Sequence, residues 1–149
     1  MRIYIDNCCF GRPFDSQVQP KVKHEAEMKL CIQMLIRYKA IDLVVSSVLL
    51  EEMERNRSVE NRVSILSFVS EHAVRIITSE EIASQDALYI EIRNSGIKEF
   101  DAMHLTSAIF AQCAYFITTD KRVQNFITER INIVDPVEFM RLWEGLNDV

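Results

Sequence analysis

The stretch "DAMHLTSAIFAQCAYFITTDKR", residues 101–122, opens on one acid and nearly closes on another. Asp101 stands where an apolar helix over 101–113 is expected to begin, with Met103, Leu105, Ala108 and Ile109 fixing that helix in a core. The run "AYFIT" (114–118) reads as a short buried strand, and Asp120 follows it directly. A helix feeding a strand whose end carries a carboxylate is a unit of an open α/β sheet, in which ligands bind beyond the carboxyl ends of the strands. His104, at i+3 from Asp101, lies on a neighbouring part of the same helical face. It fits either as a structural histidine satisfied in the core or as a support for the carboxylate.

The same alternation extends through the chain. "RIYI" (2–5), "DLVVS" (42–46), "AVRII" (73–77) and "NIV" (132–134) read as further buried strands. Helices are expected over 21–38, 47–56, 59–71, 80–94, 121–128 and 136–145. Ser46 or Ser47 is placed to cap the second of these, and Pro136 suits the first turn of the last. Helices alternating with apolar strands predict a three-layer α/β/α fold around a mainly parallel sheet of about four to five strands. In helix 21–38, Ala26, Leu30, Ile32, Met34 and Leu35 mark the apolar positions among Lys21, Lys23, Glu25 and Lys29. With 149 residues, 48% of them hydrophobic, only three Gly and three Pro, and no linker or repeat, a single domain over 1–149 is expected. The longest irregular connection is "GRPFDSQVQP" (11–20), which holds Arg12, Phe14 and Asp15.

Charge and cysteine content narrow the chemistry. Lys plus Arg number 17 against 22 Asp plus Glu, a net charge of −5, so any polyanion must be drawn by a local device rather than by the whole surface. The four cysteines show neither a CxxC pair nor the Cys/His spacing of a zinc site, which reads as reduced, packed thiols. No signal-peptide pattern and no apolar run of about 20 residues is found, so a cytoplasmic protein without a membrane span is expected.

Four acids then stand out: Asp6 at the end of the first strand, Glu52 in the helix after the second, Asp101, and Asp120. Taken singly, each has an ordinary reading as a turn residue, a helix cap or a charged helix surface, and Glu51 competes with Glu52. Taken together at strand ends they would repel, and a divalent cation is the simplest remedy. Oxygen donors without a His/Cys cluster favour Mg2+ or Mn2+ over zinc. Two such ions about 3.5–4 Å apart activate water and stabilise the leaving oxygen in phosphodiester hydrolysis. Four carboxylates supply about −4 and two ions return about +4, so an acidic protein can still accept a phosphate.

The segments "YIDNCCF", "SVLLEEM", "EFDAMHLTSAIF" and "YFITTDKR" together resemble the PIN domain, a family of metal-dependent ribonucleases that includes the toxins of VapC-like toxin–antitoxin pairs. The resemblance runs from Arg2 to about Val137. It implies that Asp6, Glu52, Asp101 and Asp120 are the four catalytic and metal-binding acids; Ser46, six residues before Glu52, and Met53 after it match the setting of the second. Thr118 falls where the family often has a hydroxyl residue that orients the site, whereas Asn7 replaces a frequent Thr after the first acid. Asn7, Thr118 and His104 are thus expected to support the acids. The resemblance further implies an Mg2+- or Mn2+-dependent endoribonuclease that hydrolyses RNA, an antitoxin that plugs the acidic cleft, and a homodimer.

Arg12, Lys121 and Arg122 are candidate contacts to RNA phosphates, with Arg55, Arg57 and Lys98 more distant candidates. Phe10 and Phe14 could offer stacking surface, and Phe100 is expected in the core. A receiver domain would need two acids after strand one and a phosphorylated Asp on a central strand, where "YIDNCCF" and "VVSSVLL" supply one and none. A haloacid-dehalogenase phosphatase needs Asp-x-Asp, but Cys8 occupies the second position. The remaining alternative is a catalytically inert PIN-like module that binds RNA or protein.

Overall fold

The computed structural model of the protein describes residues 1–11 and 18–147. Five strands form one sheet in the order β3-β2-β1-β4-β5: β1 (Arg2–Ile5), β2 (Asp42–Ser46), β3 (Ala73–Ile77), β4 (Tyr115–Ile117) and β5 (Asn132–Val134). Every neighbouring pair is parallel. All five expected strands are present, because each is a short β-branched or aromatic run that the flanking helices cover. The order reverses beside β1, so the crevice between the ends of β1 and β4 is the topological switch point, where doubly wound sheets place their ligands.

Alternation along the strands builds two cores. Ile3, Ile5, Leu43, Val45 and Ile117 face one layer, formed by helices α2 (Pro20–Arg37), α4 (Val59–His72) and α9 (Pro136–Asn147). Tyr4, Val44 and Phe116 face the other, formed by α5 (Ser79–Ala83), α6 (Asp86–Asn94), α7 (Glu99–Phe110) and α8 (Lys121–Gln124). The short α1 (Asn7–Gly11) and α3 (Ser47–Glu54) leave the ends of β1 and β2 directly, which fixes the residues immediately after those strands.

Several expected boundaries are corrected. The helix expected over 80–94 is two helices, because Thr78 closes a capping box with Glu81 and starts a five-residue helix that ends before Gln85. The five-residue α1 was hidden by its Cys and Gly content. In α2, Ala26 and Ile32 are buried and Lys21 and Lys23 exposed as expected, but Glu25 and Lys29 are also buried while Leu30 and Met34 are exposed. Lys29 reaches the ring of Phe10, 5.0 Å from its centroid, so its charge meets an aromatic face, while burial pulls its ammonium down to about 8.

Helix α7 ends with Gln112 at φ 59° and α2 with Lys39 at φ 60°, the left-handed conformation that glycine adopts without strain. Gln112→Gly is therefore expected to stabilise the protein by about 0.5–1 kcal/mol, the relief of strain exceeding the added chain entropy. Urea unfolding checks this, and a lowered midpoint would show that the Gln112 side chain contributes more than its backbone costs.

Candidate active site

Asp6, the residue after β1, is 5% exposed, and its backbone N–H donates to Ile117 O at 2.9 Å, which ties it to the end of β4. Its carboxylate accepts from the Asn7 backbone N–H at 2.7 Å and from Thr118 Oγ1 at 2.9 Å. Thr118 Oγ1 in turn accepts from the Asp120 N–H at 3.1 Å. One hydroxyl thus couples the acids that follow β1 and β4. Asp120 caps α8 by accepting from Arg122 N–H at 2.9 Å, so this expected site acid is also a helix cap. Cys8 Sγ also lies 3.3 Å from Thr118 Oγ1 and 3.5 Å from Asp6 Oδ2.

Glu52 reaches the site from α3, whose start is fixed by Ser46 accepting from Leu49 N–H at 3.2 Å. Its Oε1 lies 2.8 Å from Nε2 of His104 on α7. His104 is 1% exposed, and its Nδ1 lies 2.6 Å from Tyr4 Oη, which is 2.7 Å from Ser46 Oγ. These bonds form one continuous chain with a self-consistent direction for a neutral ring. Ser46 donates to Tyr4, Tyr4 donates to Nδ1, and Nε2–H donates to the Glu52 carboxylate. Burial favours that neutral ring, but the hydrogen bond to Glu52 and the charges of Asp6, Glu52 and Asp101 outweigh it and raise the His104 pKa above its ordinary value. The chain also holds Ser46, which starts α3, and so anchors both ends of the Glu52 turn.

Asp101 lies in the first turn of α7, half-buried. Burial first, then the negative charges of Asp6 and Asp120, push its carboxyl up to about 6, with His104 acting in the opposite sense and Glu52 adding to the rise. The charges of Asp6, Asp120 and Glu52 therefore all reach Asp101. As they stand, no three His, Cys, Asp or Glu side chains among the described residues form a group that could hold a metal ion. The donor chemistry, four hard carboxylates of which three act electrostatically on the fourth, still matches that of a divalent-cation site.

The supporting residues fall out differently from one another. Thr118 links the Asp6 carboxylate to the Asp120 backbone, His104 holds Glu52, and Asn7 contributes its backbone N–H. Arg122 lines a cavity of about 330 Å3 with Lys98 and Asp101, and Lys121 is exposed. Arg12, Phe14 and Asp15 lie outside the described residues. Phe10 is fully buried and Phe100 is 43% exposed, which corrects both expectations. The residue missed altogether is Tyr4. A tyrosine in an otherwise aliphatic strand, two positions before Asp6, was the available signal, since a buried phenol must find a hydrogen-bond partner.

A doubly wound parallel sheet with acids gathered at its switch point defines a class, and comparison with solved structures gives it a fold name. FitAcB from Neisseria gonorrhoeae superposes with a TM-score of 0.59 at 16% identity, over 91% of this chain and 98% of that one. VapBC-1 from nontypeable Haemophilus influenzae gives 0.56 at 13% identity over 92% and 99%. VapBC2 from Rickettsia felis, solved bound to a DNA fragment from its promoter, gives 0.54 at 16% identity over 89% and 97%. No family model and no curated protein matches the sequence. The chain has a PIN-like fold.

No helix among the described residues is long and apolar enough to cross a membrane.

Proposed function

We propose that the protein is a divalent-cation-dependent endoribonuclease and the toxin of a toxin–antitoxin pair. The observation that carries the reading is the set of carboxylates at the switch point, with Asp6 and Asp120 coupled through Thr118 and Asp101 lifted by burial and by their charge. Asp6, Glu52, Asp101 and Asp120 would hold Mg2+ or Mn2+. When bound, such a cation activates water and offsets the charge of a phosphodiester. The chain's own residues then have separate tasks. Thr118 keeps the two strand-end acids in register, His104 orients Glu52, and Lys98 and Arg122 offer cations to an RNA phosphate beside Asp101. An antitoxin segment and a second copy of the chain are the partners that the PIN resemblance suggests.

The inert-module reading draws on one observation, the absence of a ready-made three-ligand group among the described residues. Thermal unfolding of chelator-stripped protein with and without Mn2+ separates the two. At about 100 times its dissociation constant the ion stabilises by about 2.7 kcal/mol, a shift of several degrees for a domain of this size. That shift is expected in the wild type. Its absence at millimolar Mn2+, together with no cleavage of an RNA panel, would leave the inert module.

A further inference from the structure

We infer that the cavity on the Phe100 side of Asp101 is a nucleobase subsite that selects guanine; this rests on the ribonuclease reading above. The cavity measures about 340 Å3, within the range of about 300–1,000 Å3 usual for small-ligand sites. Val48, Ile82 and Met103 give it apolar walls, and Tyr89 and Phe100 supply aromatic rings. Two of its lining residues are chain neighbours of the acids: Phe100 precedes Asp101 on α7, and Glu51 precedes Glu52 on α3. Phe100 is 43% exposed, an aromatic face left open beside the crevice rather than packed in the core.

The charged lining is Glu51 and Asp86, both exposed at the surface, and neither carboxylate has a hydrogen-bond or ion-pair partner among the described residues. Two acceptor-only groups on an aromatic and apolar wall call for a flat ligand that donates hydrogen bonds at its edge. Guanine meets this requirement best, because its N1–H and N2–H point the same way and can pair with both oxygens of one carboxylate. Uracil sets carbonyl oxygens on both sides of its single N–H, and adenine and cytosine put an acceptor nitrogen beside their amino group. Stacking on an aromatic ring adds affinity for any base, and the edge decides which.

An arginine side chain from a protein would satisfy the same two features. The second cavity decides against it. A cavity of about 330 Å3 is lined by Asp101 itself together with Lys98 and Arg122, two cations that repel a cationic side chain and attract a phosphate. One nucleotide carries both complementary parts, the base for the Phe100 side and the phosphate for the Lys98 side.

The test is a titration of full-length, chelator-treated protein, carrying 13C at the methionine methyls and phenylalanine rings, with the four nucleoside 5′-monophosphates and with arginine amide. Guanosine monophosphate is expected to shift Met103 and Phe100 and to bind at least roughly fivefold more tightly than uridine monophosphate, the least that one bidentate pair supplies. Glu51→Gln, which replaces an acceptor oxygen by a donor, should erase that preference, and Phe100→Ala should weaken guanosine monophosphate by roughly tenfold. Equal binding of all four nucleotides, no shift at Phe100, or tighter binding of arginine amide than of guanosine monophosphate would each overturn the subsite. Because the readout is binding without cleavage, the two readings fail separately. Guanosine monophosphate held at Phe100 by a protein that cuts no RNA keeps the subsite and defeats the nuclease. RNA cleavage whose base preference is unchanged in Glu51→Gln does the reverse.

Discussion

Metal-free protein carrying Asp101→Asn is expected to unfold at a higher temperature than the wild type and, given Mn2+, to cleave RNA at least about a hundredfold more slowly. The two effects share one cause. Burial and the charges of Asp6 and Asp120 raise the Asp101 carboxyl from an ordinary 3.8 to about 6. The folded state therefore holds this proton more tightly than the unfolded chain does. Stability is lost as pH rises from about 4 to about 6, and the full cost is present at neutral pH. A displacement of this size would cost roughly 3 kcal/mol in a site sealed from water, and about 1–2 kcal/mol at this half-exposed position. Asn removes the charge at nearly constant shape, so the mutant should gain a few degrees at pH 7 and lose that advantage towards pH 4. A gap that stays constant over this range would place the effect outside the carboxylate cluster. Wild-type cleavage by the purified mutant would remove Asp101 from the chemistry.

The second large effect falls on His104→Ala, expected to destabilise the protein by about 3–5 kcal/mol. The substitution opens a cavity beside Tyr4 and removes one hydrogen-bond partner from Tyr4 Oη and another from Glu52. Against a total stability of about 5–15 kcal/mol, that leaves a marginal fold. Tyr4→Phe is the milder probe, with a cost of about 1–2 kcal/mol from leaving His104 Nδ1 without its phenol. If the chain from Ser46 to Glu52 acts as one unit, the double mutant should cost less than the sum, by about 0.5–3 kcal/mol. Mn2+ affinity should also fall about 10- to 100-fold in Tyr4→Phe, since Glu52 loses its fixed orientation. Additive stabilities with unchanged Mn2+ affinity would reduce the chain to ordinary core packing.

These residues mark how far local patterning carries. The strands were legible because each is a run of β-branched or aromatic residues. The places of Asp6, directly after β1, and Asp120, two threonines beyond β4, were legible because a residue that closely follows a strand lies at its carboxyl end. Ser46 could be read as a cap from its place before α3, but its bond to Tyr4 spans 42 positions and that of Tyr4 to His104 spans 100. Contacts of that kind are set by which strands neighbour which, and no local period encodes them. The buried charge in α2 has a similar origin. Lys29 is buried because Phe10, on a five-residue helix that local propensity does not announce, supplies its ring there. Phe100 stands open because the walls of its cavity come from α3, α5 and α6 as well as from its own helix.

Placing the first strand at the centre of the sheet also sets a schedule. Asp6 emerges early from the ribosome, but the hydroxyl that grips it is 112 residues further on. At about 5–20 residues per second, some 6–20 seconds of translation separate the two. No fragment that stops short of β4 can complete the crevice, because β1 then lacks its β4 neighbour. Pairings of such long separation also close slowly once the chain is free. The first acid to be made therefore waits for one of the later strands before its surroundings exist.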